Sequence, residues 1–182
     1  MAYRISAKDA ERYPGLRARL KAARTPEKPQ RKPRTTAAAS SPPYVEWNPA
    51  EEIGTARHWT VDLPDVELIN ANDRGHWTRR TRLTRSIREA SMVLARQQKI
   101  PRLTRARVVY VVHPRTRTRV FDPSNWSLSA KAAVDGLQDA GVFEDDNAAV
   151  VTGVDPRAGQ RQNGPHIKMS LVIIDQGPYT AM

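Results

Sequence analysis

The sequence predicts one small α/β (α+β) domain, a mixed sheet flanked by two helices, behind a disordered basic tail. Three observations carry that reading. Short β-branched runs alternate with two helical stretches in the order β-α-β-α-β-β over roughly 125 residues. The 182 residues suit one medium domain with extras and are too few for two full-sized ones. Charge is also uneven: residues 1–43 hold 11 Lys/Arg and 3 Asp/Glu, a net of +8, whereas 44–182 hold 19 and 16, a net of +3.

In chain order, Ser6–Arg24 has helical spacing (Leu16, Leu20, Ala23) broken at Pro14-Gly15, which predicts only a short frayed helix. Thr25–Pro43 is proline-rich and has almost nothing to bury, so it reads as a flexible linker. The tail is therefore placed at 1–43 and the domain at 44–182, with its core at about 57–175. His58–Leu63 alternates like a strand and stops at Pro64. Thr78 is positioned to cap a helix reaching about Gln98, with Leu83, Ile87, Ala90 and Leu94 on one face. Arg107–His113 is a strand closed by Pro114, and Arg115, Arg117 and Arg119 follow in an extended or loop segment. Asp122-Pro123 reads as an N-cap with proline at the first helical position. The helix behind it runs to Ala140 and stops at Gly141. Ala149–Val154 and His166–Ile174 supply two further strands.

Composition narrows the chemistry. Lys and Arg number 30 against 19 acids, a formal net charge of +11 with a sequence pI near 10.5, which favours a polyanionic partner. With no cysteine, disulfides, thiolate metal sites and Cys nucleophiles are excluded. His58, His76, His113 and His166 show no zinc-ligand spacing. No apolar run approaches a membrane span and the N-terminal residues lack a secretory h-region, so a soluble cytoplasmic protein is expected.

The charge then reverses along the chain. Arg74–Arg119 holds 14 Lys/Arg and one acid, Glu89; Val120–Asp146 holds six acids and one base, Lys131. A cationic surface beside a small acidic cluster suits phosphodiester hydrolysis, in which arginines hold phosphates and carboxylates hold a divalent metal. Each group also has a plainer reading. Asp122 can be only a helix cap, Lys131 and Asp135 a same-face ion pair, Asp145-Asp146 a solvated turn, and the helical arginines a wet face. Trp77 and Trp126 read as packing residues rather than base-stacking platforms.

Asp122–Val151, DPSNWSLSAKAAVDGLQDAGVFEDDNAAVV, resembles the signature of RusA-like Holliday-junction resolvases, phage and prophage endonucleases that cut four-way DNA with Mg²⁺. The matching features are Asp122 and Asn125, Lys131-Ala132, Asp135 with Leu137, Ala140-Gly141-Val142, Asp145-Asp146 and Val150-Val151. Asn72-Asp73-Arg74 before a basic helix is similar to the family's N-terminal motif, so the likeness covers about residues 60–175. The resemblance implies a RusA-like fold and a homodimer in the bacterial host cytoplasm, phage-encoded, acting on four-way or other branched DNA. It implies Mg²⁺, with Mn²⁺ substituting, and no small-molecule cofactor. Its metal-binding acids fall on Asp122 and Asp146 with Asp145 as accessory. Lys131 falls on its essential lysine, and Asn125 would orient a carboxylate or a water. The attacking group is then water, activated by metal, and not a side chain. DNA contacts are expected from Asn72, Arg74, Arg79, Arg80, Arg82, Arg85, Arg115, Arg117 and Arg119.

Two departures stand out. Ser124 occupies the place of the pattern's second acid, and three extra residues separate Asn125 from Lys131. Spacing adds a geometric question. A helix over about 126–140 is roughly 20 Å long, so Asp122 and Asp145 lie apart unless the chain doubles back or a two-fold partner completes the site.

Overall fold

A computed structural model describes residues 45–64, 66–116 and 121–178. The chain divides into two units between Pro43 and Tyr44. The expected tail at 1–43 lies outside the described residues, as do Arg117 and Arg119.

The second unit is α+β, built on a four-stranded mixed sheet. Its strands are β1 (His58–Asp62), β2 (Ala106–His113), β3 (Val151–Ala158) and β4 (Lys168–Asp175), in the order β1-β4-β2-β3. β4 runs antiparallel to both β1 and β2, while β2 and β3 are parallel. A parallel pair needs a long crossover, and α3 (Ser127–Asp139), entered through a 3-10 turn at Pro123–Trp126, supplies it. The other long helix, α2 (Trp77–Gln97), links β1 to β2.

Alternation along the strands explains the two cores. Val108, Tyr110 and Val112 of β2 and Met169, Leu171 and Ile173 of β4 face the helices, packing with Leu83, Ile87, Ala133 and Leu137. Their alternate neighbours, Val109, Val111, Val172 and Ile174, bury on the opposite face under Ile53, with Trp47 and Ala56 at the margin. Both faces are covered, so β2 and β4 read as nearly unbroken apolar runs. Ile53 belongs to a short helix, α1 (Pro49–Ile53), capped by the Asn48 side chain on the Ala50 N–H at 3.2 Å. One turn of helix is too short to leave a periodic signal.

Several boundaries differ from the expectation. The cap of α2 is His76, whose Nδ1 accepts from the Thr78 N–H at 3.3 Å; Thr78 itself lies inside the helix. β3 begins at Val151 and continues to Ala158 through Pro156. Proline is tolerated there because β3 pairs only with β2 and forms a sheet edge. No helix among the described residues is long and apolar enough to cross a membrane.

α2 and α3 cross at Gly136. A Cβ at that position would overlap the Arg88 carbonyl oxygen and stand 2.9 Å from Ser91 Cβ. Glycine therefore sets how closely the two backbones approach.

Candidate metal and nucleic-acid site

The site is built on the reversal after α3. Gly141, at φ +85°, ends the helix; its N–H donates to Gln138 O at 2.9 Å and the Val142 N–H to Leu137 O at 3.1 Å. Val142 and Phe143 are buried. The Leu103 N–H donates to Val142 O at 2.8 Å, tying the reversal to the segment before β2. The following residues return along α3, and Asp146 meets Lys131 fifteen positions back. The chain thus doubles back far enough to bring Asp146 to Lys131, although this contact does not bring Asp122 to Asp145.

Lys131 Nζ donates to Asp135 Oδ1 at 2.8 Å, one turn on, and to Asp146 Oδ2. The Asp135 contact is the same-face pair that the spacing predicted. The two carboxylates, Asp135 foremost, hold the lysine pKa above its usual value, and Lys131 in turn holds Asp146 below the usual carboxylate range. Lys131 therefore stays cationic and does not serve as a general base.

Asp145 is used locally: its oxygens accept from the Asp146 N–H at 2.8 Å and the Asn147 amide at 2.7 Å. Asp122 caps the 3-10 turn through the Ser124 N–H at 2.9 Å. Hydrogen bonds from the Ser124 hydroxyl and then its N–H lower the Asp122 pKa. The capping role and the Ser124 contact both follow from local chain geometry. Asp122 makes no hydrogen bond with Lys131, Asp145 or Asp146 among the described residues.

The N-terminal motif docks on the same turn. The Ala71 N–H donates to Asn125 O at 2.7 Å and Asn72 Nδ2 to Asn125 Oδ1 at 3.0 Å. One helical turn away, buried Ser129 receives the Ile69 N–H at 2.7 Å. Residues 69–72 and 122–129, distant in sequence, form one surface.

Of the arginines, Arg74, Arg80, Arg82 and Arg85 are exposed. Arg79 is instead held between Asp73, at 2.6 Å, and Glu67. Arg115 is exposed and bridges to Gln162. Arg88, on the face expected to be wet, reaches α3 and pairs with Asp139, whose carbonyl Arg96 also meets at 2.8 Å. Trp126 is buried as expected, with Phe121 edge-on at 5.9 Å. Trp77 is not a packing residue: it is 72% exposed. It lies on the first turn of α2, where the inner face has not yet met the core.

Hard carboxylate oxygens are the donors that Mg²⁺ takes, and it is commonly held by one or two of them with waters and substrate phosphates. Asp145 and Asp146, exposed or half-buried side by side, fit that requirement. No three His, Asp or Glu side chains among the described residues come together as a full protein shell.

Sequence reasoning overlooked Glu52. It accepts from Arg157 Nε at 2.9 Å, Arg157 Nη2 and Arg107 Nη2 at 2.6 Å each, and Trp47 Nε1 at 2.6 Å. Arg157 foremost, with Trp47 and Arg107, brings its pKa down to about 2 against the opposing effect of burial. These partners are up to 105 positions away, and no local pattern points to them.

Comparison with known proteins finds no protein family and no curated protein that matches the chain.

Proposed function

We propose that the protein is a Mg²⁺-dependent, structure-selective DNA endonuclease of the RusA type. In this reading it resolves Holliday junctions or other branched DNA by paired nicks during phage recombination or repair, as a homodimer in the bacterial cytoplasm. The observation that carries the reading is the Lys131 ammonium held against Asp146 across the Gly141 reversal. A motif resembling the resolvase signature thereby has its lysine and one of its paired acids in contact.

The reaction adds water across a phosphodiester and leaves one phosphate monoester and one hydroxyl. Mg²⁺, when bound, supplies positive charge at the scissile phosphate and lowers the pKa of water. Asp145 and Asp146 would hold it; Asp122, which caps its own 3-10 turn, is not brought together with them as a three-acid shell among the described residues. Lys131, cationic throughout, donates to the phosphate or to the departing oxygen, where negative charge grows. Asn125, oriented by Asn72, keeps its amide N–H groups for a phosphate or the attacking water. Arg74, Arg80, Arg82 and Arg85 neutralise flanking phosphates and set register without reading sequence. A four-way junction has near two-fold symmetry, so paired nicks call for two copies of the site.

One observation favours a second reading, a branched-DNA-binding protein without hydrolysis. Ser124 replaces an acid of the signature, and no three acids converge among the described residues. Incubation with a synthetic four-way junction decides between them. Paired nicks that track added Mg²⁺ or Mn²⁺ and vanish in EDTA support the nuclease; tight binding without nicks supports the binder. Equal cutting in EDTA overturns metal-assisted hydrolysis.

A further inference from the structure

We infer that Trp77 is a stacking platform for an unpaired nucleobase at the branch point of the bound DNA. This deepens the reading above and rests on it.

The four tryptophans are treated very differently by the fold. Trp126 is buried, Trp47 donates its ring N–H to Glu52, and Trp59 is half-buried with the Arg57 guanidinium 4.7 Å from its ring centroid. Trp77 alone remains largely in solvent, at 72% exposure, and no hydrogen bond holds its indole nitrogen among the described residues. Exposing so large an apolar ring forfeits burial that a packed site would provide. Apart from its contact with the neighbouring His76 ring, the domain draws little packing benefit from it, so the ring is available to a ligand.

Its position is nevertheless fixed. His76 caps the helix through Thr78 and lies against Trp77 at 5.7 Å between ring centroids. The Thr81 hydroxyl donates to the Trp77 carbonyl at 3.1 Å. A ring on an ordered helical turn loses little further freedom on binding.

The surroundings choose the ligand. Arg80 follows one turn later, a neighbour on the helix surface, and Arg74 precedes, both exposed. An exposed aromatic ring with an exposed arginine one turn along the same helix matches a base joined to its phosphates. It does not match an acidic peptide or an apolar partner face equally well, since neither offers a planar π-system with adjoining anions. Every base within an intact duplex already stacks on two neighbours, so a base that can reach Trp77 is one freed at a branch. Trp77 stands five positions after Asn72, which docks on the Asn125 turn, a span of at most about 18 Å.

The test uses the full chain without divalent metal. Binding to a four-way junction, to oligo-dT and to linear duplex is measured by fluorescence anisotropy for wild type, Trp77→Ala and Trp77→Phe. In parallel, 5-bromouracil placed at the branch or within an arm is irradiated and the crosslinked residue identified by mass spectrometry. Trp77→Ala should weaken junction and oligo-dT binding by about 5- to 100-fold and leave duplex binding within about twofold. Trp77→Phe should retain most of the affinity, and branch-placed bromouracil should crosslink to Trp77. Equal junction affinity in all three proteins, or a crosslink confined to other residues, overturns the inference and leaves the nuclease reading standing if Mg²⁺ still supports cutting. Wild-type protein that neither binds nor cuts any DNA overturns both. A change in oligomeric state on Trp77→Ala, seen by sedimentation, assigns the ring to self-association and overturns the platform.

Discussion

Asn72 and Asn125 join two segments 53 residues apart through a side-chain hydrogen bond of 3.0 Å, beside the 2.7 Å bond from Ala71 N–H to Asn125 O. The side-chain bond fixes the rotamer of Asn125, while the backbone bond fixes the docking of the loop. Asn72→Ala should therefore release the Asn125 amide without undocking residues 69–72. The expected result is a fall of about three- to tenfold in single-turnover cleavage, the worth of one modest hydrogen bond. Junction Kd and thermal midpoint should hardly move. Loss of binding in step with loss of rate would identify Asn72 as a plain phosphate contact instead.

Lys131 and Asp146 should separate chemistry from binding. Asp146→Asn and Lys131→Ala are each expected to reduce cleavage by at least a hundredfold while junction binding persists. Stability should change by no more than about 1 kcal/mol, because the pair is partly exposed. The pH dependence follows from the shifts. Asp146 is held below the usual carboxylate range, so its stabilising contribution is present above about pH 4 and lost as pH falls through its lower folded value. Lys131 is raised, so its contribution is present below about pH 10.4 and lost only as pH rises beyond that. Chemical denaturation of wild type and Asp146→Asn between pH 3 and 8 should converge at the acid end.

Glu52 anchors the cover over the second sheet face. Glu52→Gln leaves Arg107 and Arg157 without their shared carboxylate and should cost about 1–3 kcal/mol. Its pKa of about 2 places the pH signature. The stabilisation is full above the ordinary value near 4.5 and disappears as pH falls toward 2. Glu51→Gln, at an exposed neighbour whose side chain bonds to Asn48, is the control and should be nearly silent. Urea melts at pH 7 and at pH 3 measure both effects.

Gly136 should tolerate no branched side chain. Gly136→Val forces α2 and α3 apart, since the added atoms meet the Arg88 carbonyl oxygen and Ser91. A destabilisation of about 1–3 kcal/mol or more is expected, read from the urea midpoint at unchanged m-value. Arg88→Ala, which removes only an exposed ion pair, should cost much less.

Much of the scaffold was legible where local chemistry decides it. Asp122-Pro123 announced a capped turn, Gly141 a helix stop, and Arg107–His113 a strand, because capping, positive φ and β-branching act within a few residues. The Lys131–Asp135 pair was legible for the same reason. The Lys131–Asp146 contact was not fixed by spacing, which for Asp122 and Asp145 allowed either a reversal or a partner. The helix cap was misassigned to Thr78 because histidine is a rare capping acceptor, yet His76 holds that place. Trp77 looked like a core residue by type alone, and type carries no record of which turn meets the core. Glu52 was invisible because β2, β3 and α1 must assemble before its partners Arg107 and Arg157 come within reach.

β4 lies at the centre of the sheet, between β1 and β2, although it is the last of the four strands in the chain. β1 therefore has no strand to pair with until β4 leaves the ribosome, more than a hundred residues later. α2, β2, α3 and β3 can gather earlier, around the parallel β2–β3 pair, but with one flank of β2 unpaired. Closure of the sheet is thus a late, long-range step, of the kind that folds slowly and leaves open strand edges meanwhile. A nascent chain of this protein carries its basic segments in the open before its acidic reversal is braced, and becomes a finished domain only when the final strand slides into the middle.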